Sequence, residues 1–183
     1  MRLRLPHAPY VANKIAIDLA NSKFVKLTKG IEPVAKIAQE LLEEDLKKEH
    51  ALEEHVREII EENEEDIEFM LADQKQLFWM IKKRLAPEYD VILNYEDRFN
   101  HISHKILDVL KEEGLIKFNV PENRVKNIIY DAIEGYIKAY DEIEDIVLEK
   151  ISNYKRKLIP GSEEYELIFK KLYEDELKKR GMF

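Results

Sequence analysis

Residues 125–150, with the sequence VKNIIYDAIEGYIKAYDEIEDIVLEK, decide the fold. In this stretch apolar residues recur at alternating steps of four and three, the spacing of a helix that packs lengthwise against another helix. The positions on this face are Val125, Ile129, Ala132, Tyr136, Ala139, Ile143, Ile146 and, at its end, Lys150. The pattern predicts one long helix over residues 120–157, capped at its start by Asn119 and Glu122.

A similar apolar pattern lies 91 positions earlier in the chain. Leu42 and Leu46 align with Ile133 and Ile137 without a gap. Further along, a deletion of one residue pairs Leu77-Phe78-Trp79 with Leu167-Ile168-Phe169. Apolar agreement in one frame over several segments indicates an internal repeat. We therefore interpret the chain as two copies of one helical unit, residues 1–91 and 92–183.

Each copy is predicted to contain the same four elements in the same order. These are a first helix (8–22 and 97–113), a short extended segment (24–27 and 115–118), a long helix (31–65 and 120–157) and a last helix that starts at Asp73 or Ser162. The extended segments are short enough to be minimal strands. The chain is therefore expected to be all-α.

The long helices suggest an overall shape. A helix of about 35 residues is about 50 Å long, and its apolar face needs a partner of similar length. Only the other copy supplies one, so we expect 31–65 and 120–157 to form an antiparallel two-helix stalk about an internal pseudo-two-fold axis. A small lobe should then lie at each end. Residues 1–30 and 158–183 would form lobe A, and residues 66–120 lobe B.

The composition excludes several classes of site. The 183 residues contain no cysteine, which rules out disulfides and thiolate metal sites, and 37% of them are charged, with a net charge of −8. That charge disfavours duplex nucleic acid as the main partner. No apolar run is long enough to span a bilayer, and the N-terminus lacks the apolar core of a signal peptide. We expect a soluble cytoplasmic protein that does not bind membranes, with a composition typical of thermophiles.

Each half resembles the unit of an uncharacterised bacterial family, domain-of-unknown-function family 507. The resemblance rests on LEEHVREII at 52–60, MIKKRL at 80–85 and the segment 24–27. It covers the whole chain, and the second copy is the more divergent. The resemblance implies a helical architecture in two tandem copies of a unit of roughly ninety residues. It implies no activity and no cofactor.

One histidine cluster has the spacing of metal ligands. Asp97, His101, His104 and Asp108 follow at steps of four, three and four, so they share one face of the predicted helix 97–113. That face lies opposite the apolar face, and the first copy has Pro6, Tyr10, Asn13 and Ile17 at the equivalent positions. A solvated polar surface is therefore favoured, and metal-dependent activity at this cluster is kept as a second alternative.

Two further surfaces are candidates for binding. Trp79, Lys82, Lys83 and Arg84 combine an aromatic ring with basic side chains, a combination that binds RNA or single-stranded DNA. The same bases also suit the C-terminal end of a helix dipole. On the first helix, Tyr10 and Ile17 lie opposite the apolar face and need a cover, either from the rest of the lobe or from a partner.

The sequence contains no catalytic motif, whether a His-Glu-x-x-His zinc site, a Gly-rich phosphate loop or a Gly-x-Ser-x-Gly elbow. We therefore predict a non-catalytic interaction, adaptor or scaffold protein that binds other proteins and needs no cofactor. Binding of RNA or single-stranded nucleic acid through the basic and aromatic patch is the alternative. The oligomeric state is left open by the sequence.

Overall fold

The computed structural model describes residues 2–183, and these form an all-α fold, as predicted. The seven α-helices within this range are α1 (Ala8–Asn21), α2 (Ile31–Glu62), α3 (Glu64–Phe69), α4 (Gln74–Leu85), α5 (Tyr95–Glu112), α6 (Glu122–Ser152) and α7 (Glu163–Lys179). Two 3-10 helices, Leu5–His7 and Ala86–Tyr89, precede α1 and follow α4. Two strands, β1 (Val25–Leu27) and β2 (Ile116–Phe118), form the only β-sheet of the described residues.

Side chains cap several helices where the sequence suggests. Asp73 accepts hydrogen bonds from the amides of Lys75 and Gln76 at the start of α4, and Ser162 accepts one from Tyr165 at the start of α7. The predicted cap of α6 by Asn119 is wrong. The residue before this helix is Pro121, which has no side-chain donor or acceptor, and the Glu122 carboxylate pairs with Lys111 instead.

The long helices α2 and α6 pack chiefly on shorter helices. α1 contacts both α2 and α6, and α5 also contacts both. The stalk of two long helices stays a prediction, and the contacts of the structure describe a four-helix arrangement around these two helices. The alanine content of α1 permits this arrangement. Ala8, Ala12 and Ala16 are buried beside Val11, Ile15 and Leu19, which widens the apolar face of α1 enough to cover two neighbours.

The C-terminal halves of α2 and α6 each carry their own cover. On α2, Leu52 and Val56 pack with Ala86 and Val91, next to α4. On α6, a second set of buried residues belongs to the main core together with side chains of α7 and the C-terminus: Ile143, Val147, Tyr173, Leu177 and Met182. Within residues 2–183, no helix has the length and apolarity needed to cross a membrane.

The two short strands form a two-stranded ribbon. β1 and β2 pair antiparallel, with Lys26 opposite Lys117 and Leu27 opposite Ile116. The Thr28 amide extends the ribbon by donating to the Leu115 carbonyl at 3.1 Å, and the Thr28 hydroxyl donates to the Gly114 carbonyl at 2.6 Å. The ribbon therefore fixes the chain directly before α2 and before α6.

Candidate functional site

A buried network of charges joins α2, α4 and α5. Glu49 and Glu53 lie one helical turn apart on α2, and the Lys82 ammonium on α4 lies 2.9 Å from Glu49 Oε1 and 2.7 Å from Glu53 Oε1. Arg98 on α5 donates from Nη1 to Glu49 Oε2 at 2.7 Å. Lys82 and Glu49 are 2% and 3% exposed. Each buried charge therefore has an opposite charge within hydrogen-bonding distance, as burial of charge requires.

The network continues to the N-terminus and along α2. Arg98 Nε donates to Asp45 Oδ2 at 2.7 Å, one turn before Glu49. Arg2 Nη2 lies 2.7 Å from Glu49 Oε1 and also contacts Glu53. Because Arg2 is more exposed than the other members, it closes the network on its solvent side.

The pKa values of the two central carboxyls reflect this pairing. Burial alone would raise the pKa of Glu49, but the charges and hydrogen bonds of Arg98 and Lys82 outweigh burial and hold that pKa below its ordinary value. Burial opposes a low pKa of Glu53 in the same way, and Lys82 and Arg2 outweigh it. Both carboxylates are therefore ionised at neutral pH. The network joins three helices, α2, α4 and α5.

An uncharged aromatic cluster joins α6, α7 and the N-terminal segment. The Tyr136 and Tyr173 hydroxyls form a hydrogen bond of 2.7 Å. The His7 ring lies 4.5 Å from the Tyr140 ring and 6.0 Å from the Tyr136 ring, measured between centroids. His7, Tyr136 and Tyr173 are buried, and Tyr140 is half-buried.

Burial sets the charge state of this cluster. It raises the pKa values of Tyr136 and Tyr173 well above their ordinary value, so both rings keep their protons. Burial also lowers the pKa of His7 to about 4, with a smaller contribution from the nearby Arg4 charge. At neutral pH the whole cluster is therefore neutral.

The two clusters occupy corresponding places in the chain. Four positions of the charge network are each 91 residues from a position of the aromatic cluster, the pairs being Asp45 and Tyr136, Glu49 and Tyr140, Lys82 and Tyr173, and Arg98 and His7. The contacts correspond as well. Arg98 binds the carboxylates of Asp45 and Glu49, and His7 packs against Tyr136 and Tyr140, which lie 91 residues after those two acids.

A groove opens beside the aromatic cluster, between α1, α6 and α7. It has a volume of about 960 Å³. Its aromatic walls are Tyr10, Tyr140, Phe169, Tyr173 and Phe183. Its charged lining residues are Glu163, Glu166, Lys170 and Glu174. The groove thus combines several ring faces with an excess of carboxylates, and it has the size of a ligand-binding cleft.

The predicted basic patch is only partly available to a ligand. Lys82 is buried and bound to Glu49 and Glu53, so its assignment to a nucleic-acid surface is wrong. Its ammonium also lies 5.0 Å from the centroid of the Trp79 ring, and Trp79 itself is half exposed. Lys83 and Arg84 are exposed. The sequence predicts a patch of three bases and one ring, and the exposed members are Lys83, Arg84 and Trp79.

The histidine cluster is divided between two surface depressions. His101, His104 and Asp108 line one, together with Lys48 and Lys105. Asp97 lines another, with Asn100 and Lys126. Among residues 2–183, no group of three or more histidine, aspartate or glutamate side chains is placed to hold a metal ion. The four residues therefore do not converge on one point.

The outer face of α1 is covered by the chain itself at Tyr10. The Tyr10 hydroxyl donates to Glu174 Oε1 at 3.3 Å, and its ring lies 5.3 Å from Tyr173 and 5.6 Å from Phe183. Burial, with the Glu174 carboxylate, raises the pKa of Tyr10 to about 12. Ile17 is half-buried. Tyr10 is thus part of the groove wall, and α7 with the C-terminus supplies the cover that the sequence required.

A set of exposed apolar side chains lies at the end of α3 and on α4, and the sequence analysis singles out only Trp79 among them. Phe69, Met70 and Leu71 are 88%, 76% and 92% exposed, and Leu71 has a left-handed φ of 51°. On α4, Trp79 and Met80 are also more than half exposed. We call these five residues the apolar tip. The run Phe69-Met70-Leu71 directly after an acidic segment was the signal for it, since three adjacent apolar residues cannot all face one side of a helix.

The fold and its clusters define an all-α bundle protein with one buried charge network and one buried aromatic cluster. The chain belongs to the family described as "Protein of unknown function (DUF507)", whose model matches residues 1–182. This match extends over nearly the whole chain. The resemblance in the sequence analysis concerns each half of the chain by itself. A comparison with curated proteins found no match.

Proposed function

We propose that this protein is a non-catalytic interaction or scaffold protein that binds a partner protein through the apolar tip. The observation that carries the proposal is the exposure of five large apolar side chains between residues 69 and 80. Where exposed apolar side chains of a protein form one patch, the patch usually marks a binding site. A buried aromatic or aliphatic anchor also supplies most of the affinity in protein interfaces.

The charges around the apolar tip indicate the chemistry of the partner. Six acidic residues precede it, all of them exposed: Glu61, Glu62, Glu64, Glu65, Asp66 and Glu68. Opposite charges around an interface speed association and reject wrong partners. The partner expected from this arrangement has an apolar groove with a basic rim, so the interaction should weaken as salt concentration rises.

The proposal is tested by replacing Phe69, Leu71 and Met80 with serine in the full chain. Affinity purification from the native cell, followed by binding of the recovered partner in purified form, should show a loss of at least tenfold in affinity. The matched control is Leu148→Ser with Ile159→Ser, which removes exposed apolar surface elsewhere. Equal recovery of the same partners by both variants would contradict the proposal. The proposal would also be contradicted if light scattering showed the wild-type chain as a dimer and the serine variant as a monomer, because the apolar tip would then join two copies of this chain.

We also propose that the chain arose by duplication of a unit of about ninety residues. In the ribbon, Lys26 pairs with Lys117, which is the residue 91 positions further on, so the pairing is symmetric about that point. Burial in α4 and α7 agrees at the same shift. Lys82 and Ala86 are buried, as are Tyr173 and Leu177. The one-residue deletion inferred from the apolar pattern is therefore unnecessary.

Duplication followed by divergence is the reason to expect a scaffold with two different binding surfaces. The apolar tip belongs to the first half and the aromatic groove is built mainly from the second, by α6 and α7. The residues that correspond to Tyr10 and Ile17 are His101 and Asp108, so the two halves offer unlike surfaces at matching places. A duplicated protein whose surfaces have diverged in this way is suited to holding two unlike partners.

A further inference from the structure

We propose that the aromatic groove between α1, α6 and α7 binds an extended peptide segment through an arginine or lysine side chain. This site is separate from the apolar tip, and the proposal stands or falls independently of the function proposed there. Three properties of the groove support it: the faces of its rings, the balance of its charges and its length along α7.

Three partly exposed rings are available to a cation. Tyr10 and Phe169 are half-buried and pack on the buried Tyr173 with centroids 5.3 Å and 6.1 Å away, and Phe183 is exposed beside Tyr10. The negative face of an aromatic ring attracts a guanidinium or ammonium group, and guanidinium also stacks on it. At the edge of the groove the chain already shows this geometry, since the Lys178 ammonium lies 5.4 Å from the Phe183 centroid.

The charges that line the groove favour a cationic ligand. Among the lining residues three carboxylates face one ammonium, Lys170, which lies 4.0 Å from Glu174, and Lys178 adds a second ammonium at the edge. Within residues 2–183, Glu163 and Glu166 have no basic partner within 4.0 Å, and both are exposed on the rim. The His7 ring at the floor adds no positive charge at neutral pH, because burial lowers its pKa to about 4. The rim therefore holds two carboxylates free to pair with an incoming base.

The length of the groove favours an extended peptide over a small organic cation. Its lining residues on α7 run from Glu163 to Glu174, a distance of about 16 Å along the helix. An extended chain advances about 3.3 Å per residue, so about five residues span this distance. Leu167, 70% exposed in the groove, offers an apolar contact for the aliphatic part of the ligand side chains.

The first test uses the full chain and the pentapeptide acetyl-Gly-Arg-Ala-Arg-Gly-amide, titrated by calorimetry or followed by NMR shifts of the tyrosine rings. We expect saturable binding that moves the resonances of Tyr10 and Tyr173. The peptide with citrulline in place of arginine has nearly the same shape without the charge, and it should bind at least tenfold more weakly. Absence of binding, or equal binding of the two peptides, would overturn the proposal.

The second test separates the groove from general attraction by an acidic protein. Glu163→Gln with Glu166→Gln should weaken binding of the arginine peptide at least tenfold, and Leu167→Ser should weaken it severalfold. The matched control, Glu112→Gln with Glu113→Gln, removes the same charge at the exposed end of α5 and should change binding less than twofold. All these side chains are exposed, so the variants should keep the circular dichroism spectrum of the wild type. Equal losses in the groove variant and the control would refute a specific site.

Discussion

The charge network and the aromatic cluster place different chemistry at corresponding points of the chain. In the charge network, Asp45, Glu49, Lys82 and Arg98 neutralise one another and tie α2, α4 and α5 together. In the aromatic cluster, three tyrosines and a neutral histidine stand 91 residues from these positions and leave a groove beside them. The comparison teaches that contacts between helices can be built from buried charges or from neutral rings, provided that every buried polar group has a partner.

The two solutions differ in how they respond to perturbation. A buried ion pair is a weak source of stability relative to apolar packing, but removal of one partner leaves an uncompensated charge and is costly. A neutral cluster loses less when one hydrogen bond is removed. It is sensitive, however, to any condition that forces a charge into it. Three substitutions test these differences, in order of expected effect.

The largest effect is expected for Glu49→Ala. This change removes the carboxylate shared by Lys82, Arg98 and Arg2, and it leaves two buried cations with fewer partners. We expect the free energy of unfolding to fall by about 3–5 kcal/mol, measured by urea denaturation at pH 7. Glu40→Ala, on the exposed face of the same helix, is the control and should change it by less than about 0.5 kcal/mol. A loss below about 1 kcal/mol for Glu49→Ala would mean that the network is not a unit.

An intermediate effect is expected from acidification, and only in the aromatic cluster. The pKa of His7 is lowered from 6.5 in the unfolded chain to about 4 in the fold. Between these values the unfolded chain binds a proton that the folded chain does not, so stability falls as the pH falls. From pH 7 to pH 5 the contribution of His7 should drop by about 2 kcal/mol. The carboxyls of the charge network have lowered pKa values, so their contribution is lost only below about pH 4.5.

His7→Gln checks this prediction, because glutamine keeps a polar side chain that cannot titrate. Urea denaturation at pH 7 and at pH 5 should show a smaller difference in unfolding free energy for this variant than for the wild type. An unchanged difference would show that His7 takes up its proton in the folded state without cost.

The smallest effect is expected for Tyr136→Phe. The ring keeps its packing against His7 and Tyr140, while the hydrogen bond of its hydroxyl to Tyr173 is lost. The free energy of unfolding should fall by about 1 kcal/mol, measured by urea denaturation at pH 7. Tyr154→Phe, at an exposed ring, serves as the control and should leave it unchanged. A larger loss, of about 3 kcal/mol or more, would place Tyr136 in a network like that of Glu49.

The sequence predicted the helices and strands, and it says less about which helices pack together. Apolar spacing located the helices and the two short strands, and Asp73 and Ser162 cap helices as expected. Helix partners depend on the width of an apolar face. In α1 that width comes from alanines, which also occur on exposed faces and are easily passed over.

The buried charges were harder to predict than the helices. Lysine is rarely buried, so the sequence predicts Lys82 to be a surface base, whereas the structure buries it. A signal was present in Asp45, Glu49 and Glu53, which recur every four residues on the side of α2 that carries buried leucines. Single residues cannot disclose such pairing, since the cations lie on α4, on α5 and near the N-terminus. The groove is also hard to predict from single residues, because it forms only where α7 packs beside α1.

The most direct measurement of the correspondence between the two clusters transplants one into the other. A triple variant, Tyr136→Asp, Tyr140→Glu and Tyr173→Lys, copies three members of the charge network into the second half, and adding His7→Arg completes the set. If the positions are equivalent, the fourth change should raise the free energy of unfolding by about 3–5 kcal/mol over the triple variant, since the arginine then pairs with two buried carboxylates. If the quadruple variant is no more stable than the triple variant, the two clusters are not built on the same frame.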